Sequence, residues 1–229
     1  MPLQRRPEDR VGLLISFEGV DGSGKTTQAR RLAEALRQAG WPVVLTREPG
    51  GTSLGEQFRR ILLQPPPPPA TGPAPLTELL LYLADRAQHW QEVVEPALRS
   101  RQMVVSDRFI DSTLAYQGVA RGFGIETLIE VHQKLGLLRW PDCTVLLDVD
   151  PRLGLQRKRR QAQTATSLAE WSRFEREDAA FHQAVAEGYR RLAEMFPDRI
   201  VVVPADADPD TVFQRVQAAL RQKFPWLLP

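Results

Sequence analysis

The sequence predicts an α/β fold built on a parallel sheet with helices on both faces. Apolar runs of strand length alternate with longer segments of helical period, the pattern of strands joined by helical crossovers. A glycine-rich turn follows the first apolar run and opens the first helical segment. The 229 residues are 42% hydrophobic and 25% charged, an ordinary globular composition at a length that buries a sizeable core without staples. One domain spanning 1–229 is expected.

The first strand is read from Val11 to Phe17, and the first helix from Thr26 to Ala39, closed by Gly40. The run Trp41 to Thr46 reads as a second strand and Leu54 to Leu63 as a short helix. The block Pro65 to Pro69, with Gly72, Pro73 and Pro75, cannot continue a helix. Residues 64–75 are therefore expected to form a stiff, partly polyproline loop, a spacer between helices or a docking point for a proline-binding partner. Leu76 to Arg99 reads as helix, Met103 to Ser106 and Val145 to Val149 as buried strands, and Ile200 to Val203 as the last strand. Between the last two strands lie a helix from Pro151, an Arg-, Gln- and Thr-rich stretch to about Ala169, and a long helix from Arg176 through Phe196. That polar stretch, roughly 154–173, is where a mobile lid is expected. No internal repeat is found.

A formal net charge of +2 is too balanced for a nucleic-acid partner, which needs a clustered basic stripe. Lys25, Lys134, Lys158 and Lys223 are the only lysines. The heavy use of arginine follows either from compositional bias or from a site that grips phosphates. Cys143 is the only cysteine, which excludes an intramolecular disulfide and a multi-cysteine zinc site and points to a reducing, cytoplasmic setting. Met1 to Arg10 mixes Arg5, Arg6 and Arg10 with Glu8 and Asp9, and no apolar stretch long enough for a signal core or a membrane span follows, so no membrane association is expected.

The strongest chemical signal is Gly19-Val20-Asp21-Gly22-Ser23-Gly24-Lys25-Thr26, which fits G-x-x-x-x-G-K-[ST] between a predicted strand and a predicted helix. The glycines let backbone N–H groups curl around phosphate oxygens, and the helix start adds positive potential. Lys25 reaches the β- and γ-phosphates while Thr26 offers a hydroxyl to Mg²⁺. This loop implies a nucleoside triphosphate and no more, because switches, motors, transporters and small-molecule kinases share it.

Further segments narrow the choice. Phe17 to Thr27, Arg47-Glu48-Pro49-Gly50-Gly51-Thr52, Leu81 to His89 and Asp107 to Gly118 stand in order and together resemble the bacterial thymidylate kinases. The resemblance implies a three-layer P-loop fold, with a five-stranded parallel sheet flanked by helices and a mobile lid. It implies transfer of the γ-phosphoryl group of ATP to thymidine monophosphate (dTMP) with Mg²⁺, and a homodimer packed through helices. Gly19 through Thr27 would hold ATP, and Thr26 and Asp107 the metal. Arg59 and Arg108 would bind the acceptor phosphate, with Arg47 and Pro49 in the same site. Tyr82 would stack on the base and Arg86 bond its exocyclic carbonyl. Thr113, Tyr116 and Gln117 would surround base and sugar, Tyr116 hindering a ribose 2′-hydroxyl, and Asp21 would lie near the acceptor's 3′-hydroxyl and the metal shell, with Glu18 nearby. The family takes a transition-state arginine from the phosphate loop or the lid. Val20 to Ser23 contains none, which directs attention to Arg157, Arg159 and Arg160 at the start of the lid, ahead of Arg173-Phe174-Glu175 at its close. Ser172, Phe109 and Thr113 depart from the commoner aspartate, tyrosine and serine.

Elementary chemistry supports the same residues. Arg47, Arg59 and Arg108 fall at strand ends or on the following helix, the open edge where such sheets bind ligands, and a dianionic monophosphate needs forked donors. Tyr82 and Arg86 are four apart and share a helix face; an oxygen on the base suits the guanidinium and disfavours the amino group of cytosine. Asp107 ends an apolar run in the manner of a Walker B aspartate. Taken singly, Arg59 also fits an exposed helix face, Tyr82 and Tyr116 core aromatics, Asp107 a helix cap, and each lid arginine a solvated basic face. Lys25, Asp107, Arg108 and lid arginines Arg157 and Arg160 are the expected catalytic set. Three rivals remain: another nucleoside monophosphate or deoxynucleoside kinase, a non-enzymatic ATP-binding module, and a hydrolytic switch.

Overall fold

The computed structural model describes residues 12–66, 72–164 and 173–228, except for the side chains of 161–164. The chain begins with β1 (Leu14–Glu18), α1 (Lys25–Gln38), β2 (Val43–Arg47) and α2 (Ser53–Leu63). After the proline loop come α3 (Pro75–His89), a π turn over Trp90–Val94, α4 (Glu95–Arg99) and β3 (Met103–Asp107). Next are α5 (Ile110–Thr113), which runs into a π turn over Leu114–Ala120, then α6 (Ile125–Lys134), β4 (Cys143–Asp148) and α7 (Pro151–Thr164). A 3₁₀ turn at Arg173–Arg176, α8 (Ala179–Met195), β5 (Ile200–Pro204) and α9 (Pro209–Lys223) complete the described order.

The five strands form one sheet in the order β2-β3-β1-β4-β5, and every neighbouring pair is parallel. Position in the sheet explains composition. The central strands β1, β3 and β4 are buried along nearly their whole length, as continuous apolar runs covered on both faces should be. The edge strands β2 and β5 are only partly buried. Phe17, Phe109, Leu14, Ile15, Met103 and Leu114 are among the largest fully buried side chains, so the core lies where β1 and β3 meet their helices.

Register then positions the chemistry. Asp107 at the end of β3 pairs with Phe17 of β1 and with Arg47 of β2. The glycine-rich turn after β1, the Asp107-Arg108 step after β3 and the Arg47-Glu48 step after β2 therefore emerge side by side at the carboxyl edge of the sheet.

The expected single helix from Leu76 to Arg99 is instead two helices joined by a π turn. Pro96, in the first turn of α4, has no N–H to donate into the preceding turn, and the hydrogen-bond ladder widens ahead of it. The 3₁₀ turn precedes the long helix, which starts at Ala179 rather than Arg176 because Asp178 caps it: its side chain accepts from the Phe181 N–H at 2.8 Å. The part of the expected lid from 165 to 172, including Ser172, lies outside the described residues. So do Val11 at the start of the expected first strand and residues 67–71 of the proline loop.

Candidate active site

The glycine-rich turn folds as its sequence requires. Gly24, at φ +96°, caps α1 in the left-handed region, which glycine enters without steric cost. The Lys25 ammonium lies under the turn and donates to the carbonyls of Gly19 at 3.0 Å and Val20 at 2.8 Å. Burial, reinforced by the charge of Arg108, pushes Lys25 down to about 8. The Thr26 hydroxyl donates to the Asp107 carboxylate. A cavity of about 200 Å³ opens here, lined by Asp21, Gly22, Gly24, Lys25, Thr26 and Thr27 on the loop side, with Arg47, Glu48, Arg59, Asp107, Arg108 and Lys158 completing the wall.

Arg108 is the hub of the site. Its backbone takes φ +75°, a conformation costly for a non-glycine residue. It is fixed at both ends, by the Arg108 N–H on the Phe17 carbonyl at 3.0 Å and by the Ser106 hydroxyl on the Arg108 carbonyl at 2.7 Å. The guanidinium then reaches Asp21 at 2.6 Å, Ser112 at 3.0 Å, Tyr116 Oη at 3.1 Å and Tyr189 Oη at 3.2 Å. Nη1 also donates to the Gly19 carbonyl at 3.4 Å, the oxygen that Lys25 grips. Two cations, Lys25 buried and Arg108 partly so, thus share one acceptor. Burial would raise the Asp21 carboxyl, but the charges of Arg108, Lys25 and Lys158 hold it below the usual range.

A second cavity of about 500 Å³ adjoins the first. Asp21, Glu48, Arg59, Arg108 and Lys158 line both, so these residues form the junction. Arg59, on α2, donates to the Pro49 carbonyl at 2.9 Å; burial and the nearby Arg47 lower its affinity for its proton. Arg47 lines the smaller, phosphate-loop cavity and is paired with Glu56 at 2.8 Å. The larger cavity is also lined by Pro49, Tyr82, Arg86, Thr113, Tyr116 and Gln117. The sequence-predicted acceptor residues, Arg47 apart, therefore all line this one cavity.

Arg86 is almost fully buried and makes four hydrogen bonds: two to Glu48 at 2.6 and 3.0 Å, one to Thr113 and one to His132, both at 2.9 Å. A guanidinium has five N–H donors, so capacity remains for a ligand in the cavity. Since Arg86 can only donate, His132 accepts at Nε2 and donates from Nδ1 to the Leu128 carbonyl at 2.6 Å. Burial and the charge of Arg86 push His132 down to about 4, consistent with a neutral ring. His89 buttresses the other Glu48 oxygen at 2.9 Å. Asp85 accepts the Gly50 N–H at 2.9 Å, fixing the turn that carries Pro49. Tyr116 stands edge-on to Phe174, with ring centroids 5.7 Å apart, and Tyr82 lies 6.4 Å from the same ring.

Glu48, His89 and Asp85 fell inside quoted motifs, but without their partners the sequence offered no role for them. Phe174 was expected only as part of the lid's close, and Glu78, His132 and Tyr189 were missed outright, since each acts across a distance in sequence. Glu18, expected nearby with no defined role, is a buttress: it accepts from the Phe109 N–H at 2.6 Å, Ser112 Oγ at 2.6 Å and Tyr189 Oη at 2.9 Å.

The cations expected on the lid divide. Arg157 is turned to the carbonyls of Ala205 at 2.8 Å and Ala207 at 3.3 Å, so it is not brought to the junction in this arrangement. Arg160 lies exposed on α7. Lys158, one residue on from Arg157, lines both cavities and pairs with Glu175 at 3.1 Å. Sequence reasoning passed over Lys158 by looking for arginine alone.

A profile of the thymidylate kinase family matches residues 17–216. The thymidylate kinase of Maridesulfovibrio salexigens is 43% identical over 212 residues, 93% of this chain and 96% of that protein. That of Solidesulfovibrio magneticus is 48% identical over 205 residues, 89% of this chain and 96% of its own. The crystal structure of thymidylate kinase from Ehrlichia chaffeensis superposes with a TM-score of 0.69 at 34% identity, covering 92% of this chain and 99% of that one. The matched stretch contains the glycine-rich turn, the Arg108 hub and the walls of both cavities, and by that extent of agreement the chain belongs to the thymidylate kinase family.

Proposed function

We propose that this chain transfers the γ-phosphoryl group of ATP to dTMP, giving dTDP and ADP on the route to dTTP. The observation that carries this reading is the shared Gly19 carbonyl, which binds Lys25 from the phosphate-loop side and Arg108 from the acceptor side. Phosphoryl transfer needs two phosphates in line and their charge neutralised, with no covalent enzyme intermediate. ATP phosphates fit the smaller cavity, where the start of α1 and Lys25 supply the positive field. The dTMP phosphate fits against Arg59 and Arg108, with its base toward Tyr82 and Arg86. Asp21, Arg59, Arg108 and Lys158 surround the point of transfer.

The oxygens of Thr26 and Asp107 face each other at the wall of the phosphate cavity, a donor set that fits Mg²⁺, which binds through one or two protein oxygens and substrate phosphates. There Mg²⁺ would neutralise charge on the β- and γ-phosphates. Lys158 supplies lid charge at the junction, and Arg157 and Arg160 are further candidates from the same helix. The reading places the enzyme in the cytoplasm, which suits one buried cysteine whose thiol burial pushes up to about 12. Among the described residues no helix is long and apolar enough to cross a membrane. The exposed apolar side chains Leu54 and Ile61 on α2 and Leu76 and Leu80 on α3 support a homodimer.

A coupled assay with ATP, Mg²⁺ and each nucleoside monophosphate tests the assignment. We expect dTMP to be the preferred acceptor. Preference for cytidine, adenosine or guanosine monophosphate would overturn the reading of the base site, and ATP binding without transfer to any acceptor would overturn the enzyme.

A further inference from the structure

Glu78 stands one helical turn before Tyr82 on α3 and is fully buried. Burying a carboxylate is unfavourable unless its oxygens are well partnered. Three side chains partner it: Gln117 Nε2 donates to Oε1 at 2.7 Å, Arg121 lies 3.2 Å from Oε2, and Arg173 Nη2 donates to the same Oε2. Arg173 also donates from Nε to the Leu62 carbonyl at 2.7 Å, and the next residue, Phe174, closes over the larger cavity beside Tyr82 and Tyr116. One carboxylate therefore holds a cavity-lining amide with one oxygen and the start of the closing 3₁₀ turn with the other.

The direction of the Gln117 amide follows from this pairing. A carboxylate offers acceptors only, so the NH₂ end must turn to Glu78 and the carbonyl end is left for the cavity that Gln117 lines. An amide or apolar group at 78 would fill the same space without fixing that direction. A thymine ring presents an N3–H donor where cytosine presents an N3 acceptor, so a carbonyl fixed in this direction accepts one ring and repels the other.

We propose that Glu78 is a specificity-determining positioning residue: it orients the Gln117 amide toward the thymine edge and, through Arg173, latches the closing segment over the same base. The proposal rests on the reading of the larger cavity as the dTMP site. It links recognition of the base to closure over it, because both depend on one buried group.

The test is steady-state kinetics of wild type, Glu78→Gln and Arg173→Gln with dTMP and dCMP as acceptors, with thermal melts to confirm folding. In Glu78→Gln the amide at 117 can turn either end to its neighbour, so the kcat/KM preference for dTMP over dCMP should fall about tenfold, the scale of one buried hydrogen bond, through KM more than kcat. Arg173→Gln should raise the KM for dTMP while keeping the preference. A Glu78→Gln enzyme with unchanged preference overturns the proposal, and so does an Arg173→Gln enzyme that loses it equally, since both would then reflect general loosening. Should Glu78→Gln not fold, Gln117→Met removes the oriented amide itself, and an unchanged preference there overturns the proposal. Wild type inactive on dTMP would instead overturn the reading of the site.

Discussion

Lys25 carries the sharpest conflict between stability and function in the molecule. Its ammonium is removed from water and held beside Arg108, with Asp21 the first of the carboxylates that offset the repulsion. A lysine whose affinity for its proton is lowered is charged below the shifted value and neutral above it. With that value at about 8, the resting protein should bind ATP most tightly below pH 8, and affinity should weaken as pH rises through it. ATP phosphates favour the charged form, so binding above that pH should take up a proton. Calorimetric titrations in buffers of different ionisation enthalpy would show both effects, and a flat affinity profile across this range would remove Lys25 from phosphate binding. Lys25→Ala should lower turnover by roughly 10³-fold, a loss typical of removing a group that stabilises developing charge, with the fold intact. At this scale the sequence was informative wherever a residue type carries its chemistry in a local motif: Lys25, Thr26, Asp107 and Arg108 line one cavity together. It was silent on Glu48, His132 and Glu78, because a buried acid or imidazole acquires its role from side chains distant in the chain: Arg86 lies 38 residues from Glu48 and 46 from His132, and Arg173 lies 95 from Glu78.

At the scale of elements, the glycine-rich turn and α7 meet backbone to backbone. A methyl group at Gly154, in the first turn of α7, would overlap the Asp21 carbonyl oxygen, and one at Gly22 would overlap the Gly154 carbonyl oxygen. Helix propensity and packing predict opposite signs here. Alanine in place of glycine within a helix ordinarily stabilises by about 1 kcal/mol, whereas forcing a methyl into a filled contact costs about 1–3 kcal/mol. Because both neighbours are backbone and cannot swing aside, Gly154→Ala should lower the melting temperature and weaken ATP binding by displacing the loop. A melting temperature above that of wild type would show that α7 is not seated on the loop. The sequence located α7 from Pro151 but not its seat, since nothing local to residue 154 points to residue 21. The helical segments around 110–134 and 209–223 were also passed over. The first interrupts its α-helical period with a π turn, and the second lies beyond the last strand, where no motif drew attention.

For the whole molecule, strand-helix alternation made the parallel sheet and its five strands legible, but not their order. Placing β1 between β3 and β4 depends on which apolar faces bury each other, a long-range choice that period and composition leave open. That order brings the ends of β1 and β3 together and so makes the two cavities adjoin. It also leaves α2 and α3 packed against each other at one side, with an apolar outer surface: Leu54, Ile61, Leu76 and Leu80 are 40, 53, 57 and 55% exposed. Leu76 and Leu80 are four apart and share one face of α3, and exposed apolar surface grouped in this way marks an interaction site. If α2 and α3 form the dimer contact, Leu76→Glu with Leu80→Glu should shift the protein from dimer to monomer in sedimentation, at little cost to folding because both side chains are already more than half exposed. The larger cavity, proposed to hold dTMP, lies on the other side of these helices, lined by Arg59 of α2 and by Tyr82 and Arg86 of α3. Dissociation should therefore raise the KM for dTMP more than that for ATP, whose cavity takes α1 and the ends of β2 and β3. A doubly substituted protein that remains dimeric would place the contact elsewhere, and a monomer with an unchanged KM for dTMP would show that α2 and α3 hold the acceptor site without a partner behind them.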